Sequence, residues 1–186
     1  MLRARAGAGD LGLAQAVVND LAHLRYPADG LATPQVNEIR KLKSRMENER
    51  IPKGVSRDRH LKLGKGGLSD VEWTVQLLQL EHAHDHPELR TTSTLGALVA
   101  LEQAGFVTDR QSADLRDAWL HASRLRNAIM LVRGRAADVL PTTHRETAAV
   151  AVLLGYEPQN SSMLADDTLR LMRHASRVVD ELFWQA

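Results

Sequence analysis

No cysteine occurs in the sequence, which excludes a disulfide framework, a thiolate metal site and a thiol nucleophile, and fits a reducing compartment. Aromatic residues are only 4% of the chain, too few for a platform that stacks bases, and no recognised nucleic-acid module is present. The expectation is no nucleic-acid partner. Long apolar runs are missing as well. Nothing approaches the roughly 20 residues that span a bilayer, and the opening "MLRARAGAGD" has no apolar signal-peptide core. We therefore expect no membrane association and a cytoplasmic location. Net charge is nearly absent at +1, so the chain as a whole exerts little field on distant partners.

What the chain does have is an uneven distribution of that charge. From Arg40 to Lys65 the balance is +7, which leaves −6 for the remainder. Such a stretch suits either a solvated helix face or a surface for polyanions at short range. With 186 residues, a single domain can bury roughly 70% of its unfolded surface.

Apolar residues recur three and four apart, the period of helices, and almost no alternating strand pattern is seen. The fold class is all-α, a bundle of about seven helices with short connections. Asp10 caps a helix to about Arg25, and Thr33 with Pro34 opens a basic helix to about Arg50. The polar "IPKGVSRDRH" links it to a helix from about Leu68 to His84. Ser93 starts a short helix stopped by Gly105, and the capping box Thr108 to Gln111 opens the longest one, ended by Gly134. Its expected buried stripe is Leu115, Trp119, Ala122, Leu125, Ile129 and Val132. A second box at Thr143 to Glu146 opens a helix closed by Gly155, and a last helix buries Leu164, Leu171, Ala175, Val178 and Leu182.

The most unusual stretch is "KLGKGGLSDVEW", Lys62 to Trp73. Glycines ahead of a helix allow close approach of a ligand, and the first-turn N–H groups favour phosphate. Lys62 and Lys65 would add formal charge beside Gly66 and Gly67. The spacing is neither a P-loop nor a dinucleotide fingerprint, and an ordinary glycine-rich helix start remains open. Asp70 and Glu72 are two apart on a helix, about 200° around its axis, and cannot both hold one ion. At most one could serve, and the other carboxylate is then free for a structural task, such as fixing an arginine or capping N–H groups, while Glu72 needs a cationic partner if buried. In "RLRNAIMLVRGRAADVLP", Arg126, Arg133 and Arg135 flank an apolar helix end, and one of them could tie Asp70, Glu72 or Asp138 into a supporting network. The alternating His82, His84 and His86 do not share a helix face and suit a helix C-terminus better than zinc. No catalytic residue and no metal ligand emerges.

Together, "KLGKGGLSDVEWTVQLLQL", "RTTSTLGALVAL" and "RNAIMLVRGRAADVLP" resemble the C-terminal region of glutamine synthetase adenylyltransferases, with a looser likeness to PII uridylyltransferases. The likeness runs from "RARAGAGD" to "RVVDELFW", and Gly66 to Trp73 is its most specific block. It implies a parent nucleotidyltransferase that moves AMP from ATP, with Mg2+, onto a tyrosine of glutamine synthetase in nitrogen regulation, under control of PII signalling proteins. It also implies that residues 1–30 are the trailing edge of a nucleotidyltransferase domain, 31–61 a basic helix and linker, and 62–186 the helical bundle. The family's Gly-Ser loop and catalytic Asp cluster do not precede Asp10, and Ala6-Gly7 departs from its bulkier residues. The expectation is a piece inactive alone, whose partners are glutamine synthetase, PII and the upstream domain. Lys62, Lys65, Gly66 and Gly67 would contact nucleotide, with Asp70, Glu72, Arg126 and Arg135 in support. The alternative is a docking module for PII or glutamine synthetase.

Overall fold

Each capping signal in the sequence meets a helix end in the computed structural model, which describes residues 2–52 and 54–185. Lys53, counted in the basic stretch, lies outside them. Among the described residues there are eight α-helices and no strand. The all-α class holds, and the extra helix comes from the first segment. Asp10 caps α1 (Leu11–Asp20) by accepting the Leu13 N–H at 3.0 Å. The chain then breaks at Leu21 and resumes as a single turn, α2 (Ala22–Arg25). That break turns Arg25 and Tyr26 inward, where the Arg25 guanidinium donates to the Leu2 carbonyl at 2.7 Å.

The next helix, α3, occupies Thr33–Arg50 with Pro34 in its first turn. It is followed by α4 (Leu68–His82), α5 (Thr94–Gln103) and the long α6 (Asp109–Arg133). Thr108 and Gln111 form the reciprocal capping box at the start of α6, and Gly134 ends it at φ +68°. Then come α7 (His144–Leu153) and α8 (Met163–Val179), whose end widens into a π-helical turn, Asp180–Trp184.

Two apolar clusters hold these helices together. The larger joins α3, α4, α5, the first half of α6 and the last half of α8 through Val71, Leu101, Leu115, Ala175 and Phe183. The smaller joins Leu61, Leu125, Ile129, Leu140, Val150 and Leu164. Since α6 and α8 run through both, the clusters cannot come apart without breaking those two helices. Trp119, Leu171 and Leu182 are partly buried, and Val132 of the expected stripe is 37% exposed, because α6 projects past the second cluster.

The segment read as a polar linker is more ordered than its composition suggests. A short 3-10 turn at Arg57–Arg59 leads to His60, which forms an isolated antiparallel bridge with Val139. The Leu61 N–H donates to the Asp138 carbonyl at 2.7 Å, and the Leu140 N–H donates to Arg59 at 3.0 Å. Leu61 is fully buried. This bridge pins the approach to the glycine turn against the chain leaving α6. The N-terminal segment also packs on the bundle, with Leu2 in the larger cluster and Arg3 donating to Thr94.

Candidate functional site

The glycine turn is built inward. Gly66 sits at φ +67°, and a Cβ there would fall 1.9 Å from the Met172 carbonyl oxygen of α8. A side chain at Gly64 would meet the Arg57 and His60 carbonyls at 2.3 and 2.4 Å. These positions require glycine because backbone lies against backbone. The amides ahead of α4 and in its first turn are engaged. Gly66 N–H donates to Asp70 Oδ2 at 2.7 Å, Gly67 N–H to Gly64 at 2.9 Å, Leu68 N–H to Leu61 at 3.0 Å and Ser69 N–H to Lys62 at 2.9 Å. Leu68 and Ser69 N–H, two of the donors a helix start usually offers to a phosphate, are thus used inside the loop. Gly66 and Gly67 are buried, whereas Lys62 and Lys65 are exposed.

Asp70 is buried, and its cation is neither Arg126 nor Arg135. It is Lys43 of α3, 1% exposed, which donates to both Asp70 and Glu47. Glu47 is shared in turn by Arg57 at 2.5 Å. The Lys43 ammonium also lies 5.4 and 5.1 Å from the ring centroids of Phe183 and Trp184, within cation–π range. Burial pushes the Glu47 carboxyl up and the Asp70 charge adds to that, while Lys43 pulls the other way. One ammonium therefore ties α3, the glycine turn and the C-terminal turn. Neither Lys43 nor Glu47 stood out in the sequence, although a signal was there. Val36, Lys43 and Glu47, the buried residues of α3, are seven and four apart, so the apolar stripe runs straight into the ion pair.

Glu72 is half-buried and meets Arg3 at 3.4 Å, with the Trp119 indole N–H at 3.4 Å. Arg126 donates through Nε to Asp138 at 2.5 Å, one of the pairings that the spacing allowed. Arg133 holds Glu146 through both of its oxygens. Arg135 is exposed and makes no ion pair among the described residues. His82 stacks on Phe106 at 3.9 Å and His86 meets its edge, so these histidines serve packing at the end of α4.

The two lysines of the motif open onto different hollows. Lys62 lines a cleft of about 500 Å3 with Arg50, His60, Arg126, Arg133 and Arg135. Lys65 borders a groove of about 550 Å3 along α8, with Asp58, Arg170, Arg173, His174 and Arg177. In the first cleft His60 Nδ1 accepts the Lys62 and Leu63 N–H groups at 3.3 and 3.1 Å. Burial lowers its pKa against the opposing pull of Asp138, with the Arg126 and Lys62 charges adding smaller lowering effects.

Comparison with known proteins fits this geometry to a family. Residues 38–183 match the sequence profile described as GlnD PII-uridylyltransferase. Relatives named bifunctional glutamine synthetase adenylyltransferase/adenylyl-removing enzyme are 54% identical in Cutibacterium acnes, over 184 residues, and 52% identical in Streptomyces avermitilis, over 186 residues. Those alignments cover 99% and 100% of this chain. A third, from Mycobacterium marinum, is 46% identical over 98% of the chain. The chain belongs to the glutamine synthetase adenylyltransferase family.

As an adenylyltransferase-family chain it spans only 19% of the length of the first two relatives. The stretch Gly66 to Trp73 lies within the matched residues 38–183, with Gly66 packed on the backbone of α8 and Asp70 bonded to Lys43. The family implies Mg2+ and ATP, and the donors present fit these unequally. Asp70 and Glu47, the buried carboxylates, already neutralise Lys43 and Arg57. No group of three or more His, Asp or Glu side chains converges among the described residues. This set does not fit a magnesium site. The guanidinium and ammonium groups of the two hollows fit phosphate oxygens.

Proposed function

We propose that the chain is the helical bundle of a glutamine synthetase adenylyltransferase and braces the part of the enzyme that transfers AMP from ATP to a tyrosine of glutamine synthetase. The observation that carries this reading is the rigid seating of the most family-specific block. Gly66 against Met172 and Asp70 against Lys43 fix where Lys62 and Lys65 stand. In the intact enzyme those lysines face the nucleotide's phosphates, while Gly66 and Gly67 position them from beneath. Asp70, Glu72, Arg126 and Arg135 act in support. The metal-holding carboxylates belong to the neighbouring domain, so this piece alone is inactive. Glutamine synthetase and a PII protein are the partners, in the cytoplasm; no described helix is long and apolar enough to cross a membrane.

A docking role without active-site contribution is the second reading. It is favoured by α1, where Leu13 and Val17, four apart on one face, are 65% and 49% exposed and no residue of the helix is buried. Deletion of the bundle from the intact enzyme separates the two. A brace is needed for basal AMP transfer, whereas a docking module is needed only for its regulation. Full basal turnover after deletion would overturn the bracing role. For the lysines, Lys65→Ala in the intact enzyme is expected to raise the KM for ATP, and unchanged ATP kinetics would remove Lys65 from the nucleotide.

A further inference from the structure

The cleft beside the His60–Val139 bridge gathers cations from three separate parts of the chain. Arg50 comes from the end of α3, Lys62 from the loop ahead of α4, and Arg126 and Arg133 from α6, with Arg135 just beyond it. Arg126 and Arg133 are neutralised by Asp138 and Glu146. Arg50, Lys62 and Arg135 make no ion pair among the described residues and are exposed. Three uncompensated positive charges thus share one hollow of about 500 Å3, a size common for small-ligand sites. Like charges are gathered here at a cost that an anion would relieve. The internal pairs also fix the wall. A guanidinium has five N–H donors, so the single Asp138 bond leaves most of those on Arg126 open.

We infer that this cleft is a binding site for linked phosphates, with Arg50, Lys62 and Arg135 as the charges that hold the ligand and Arg126 as a fixed donor beside it. A phosphate chain suits the set because its oxygens accept several bonds at once, and arginine forks match that geometry. Lys65 is outside this site, since it borders the groove along α8. The inference deepens the proposed contact of Lys62 with phosphates and rests on that part of the reading, and its failure is distinguishable from failure of the brace, which the deletion experiment tests by AMP transfer and not by anion binding.

The test is calorimetric titration of the chain with inorganic pyrophosphate at low ionic strength. One saturable site is expected, weakened on the order of tenfold by Lys62→Ala and by Arg135→Ala, and unchanged by Lys65→Ala. Circular dichroism of these surface variants should match the parent chain. ATP competing with pyrophosphate while AMP does not would assign the linked phosphates to a nucleotide. Pyrophosphate binding that ATP does not displace would assign them to the free anion. No saturable binding, or an equal loss in Lys65→Ala, would overturn the site, because the attraction would then be diffuse surface charge.

Discussion

Two halves of one twelve-residue stretch behave as opposites. Gly66, Gly67 and Asp70 face the interior, where backbone meets backbone and a carboxylate meets a buried ammonium. Lys62 and Lys65, interleaved with them, stand in solvent and open onto separate hollows. The difference teaches that charge in this chain has two uses. Of the basic stretch, Lys43 is consumed by Asp70 and Glu47, Arg57 by Glu47, and Arg59 donates to the Pro141 carbonyl at 2.8 Å. Arg45, Arg50, Lys62 and Lys65 are what it leaves exposed and outside any ion pair among the described residues. A positive sequence segment is thus partly a scaffold, and only its residue is a surface.

The comparison breaks most readily at Lys43. Removing one partner of a buried ion cluster leaves the others desolvated, at a cost of about 3–5 kcal/mol. Lys43→Ala strands Asp70 and leaves Glu47 with Arg57 alone, and urea denaturation should show a loss of that size with the slope unchanged. A loss below about 1 kcal/mol would mean that the cluster behaves as a surface pair and that the interior half of the contrast is wrong. Gly66→Ala comes next. A left-handed conformation costs an alanine about 1–2 kcal/mol, and displacing the α8 backbone adds about 1–3 kcal/mol as overpacking. The same denaturation series checks it, and a neutral result would mean that the turn and α8 are not in contact.

The contrast also marks what could be seen without coordinates. Helix ends were legible wherever a side chain or glycine fixes them locally: Asp10, Ser93, Thr108 and Gly134 all do so by bonds within a few residues. The break at Leu21 was not, because Arg25 and Tyr26 turn inward for contacts with Leu2 and the bundle, which lie far away in sequence. The same holds for the site. Asp70 was visible as one of three carboxylates that an arginine near the end of α6 could tie down, but its partner is Lys43, 27 residues distant, and periodicity alone cannot choose between Lys43 and those arginines. The separation of Lys62 from Lys65 depends on a turn held by Leu61, Asp138 and Met172, and no local spacing encodes it.

An intermediate case sharpens the comparison through pH. His60 is buried, His82 and His121 are half-buried, and burial lowers each below 6.5. For a base whose folded pKa is depressed, the unfolded chain binds more protons below 6.5, so this contribution to stability is present above that value and is lost as pH falls through the folded values. Glu47 and Glu81 have the opposite sign. Burial raises them, so their contribution is present below 4.5 and is lost as pH rises through the folded values. His121→Gln removes one histidine and should flatten the fall in urea midpoint on acidification below 6.5. An unchanged slope would show that the ring is solvated in the folded chain.

The smallest effect belongs to the exterior half. Lys62→Ala and Lys65→Ala each remove an exposed ammonium that makes no ion pair among the described residues, and such surface changes usually alter stability by no more than about 0.5 kcal/mol. Lys62→Ala should, if anything, stabilise the chain slightly at low salt, because it relieves repulsion from Arg50 and Arg135 across the cleft. That gain should fade as salt screens charges farther apart than about 10 Å. Lys65→Ala should show less of it, since Asp58 also borders its groove. A loss of stability in either variant would mean that the lysine supports the turn, and the division between a glycine interior and a lysine surface would then have to be redrawn.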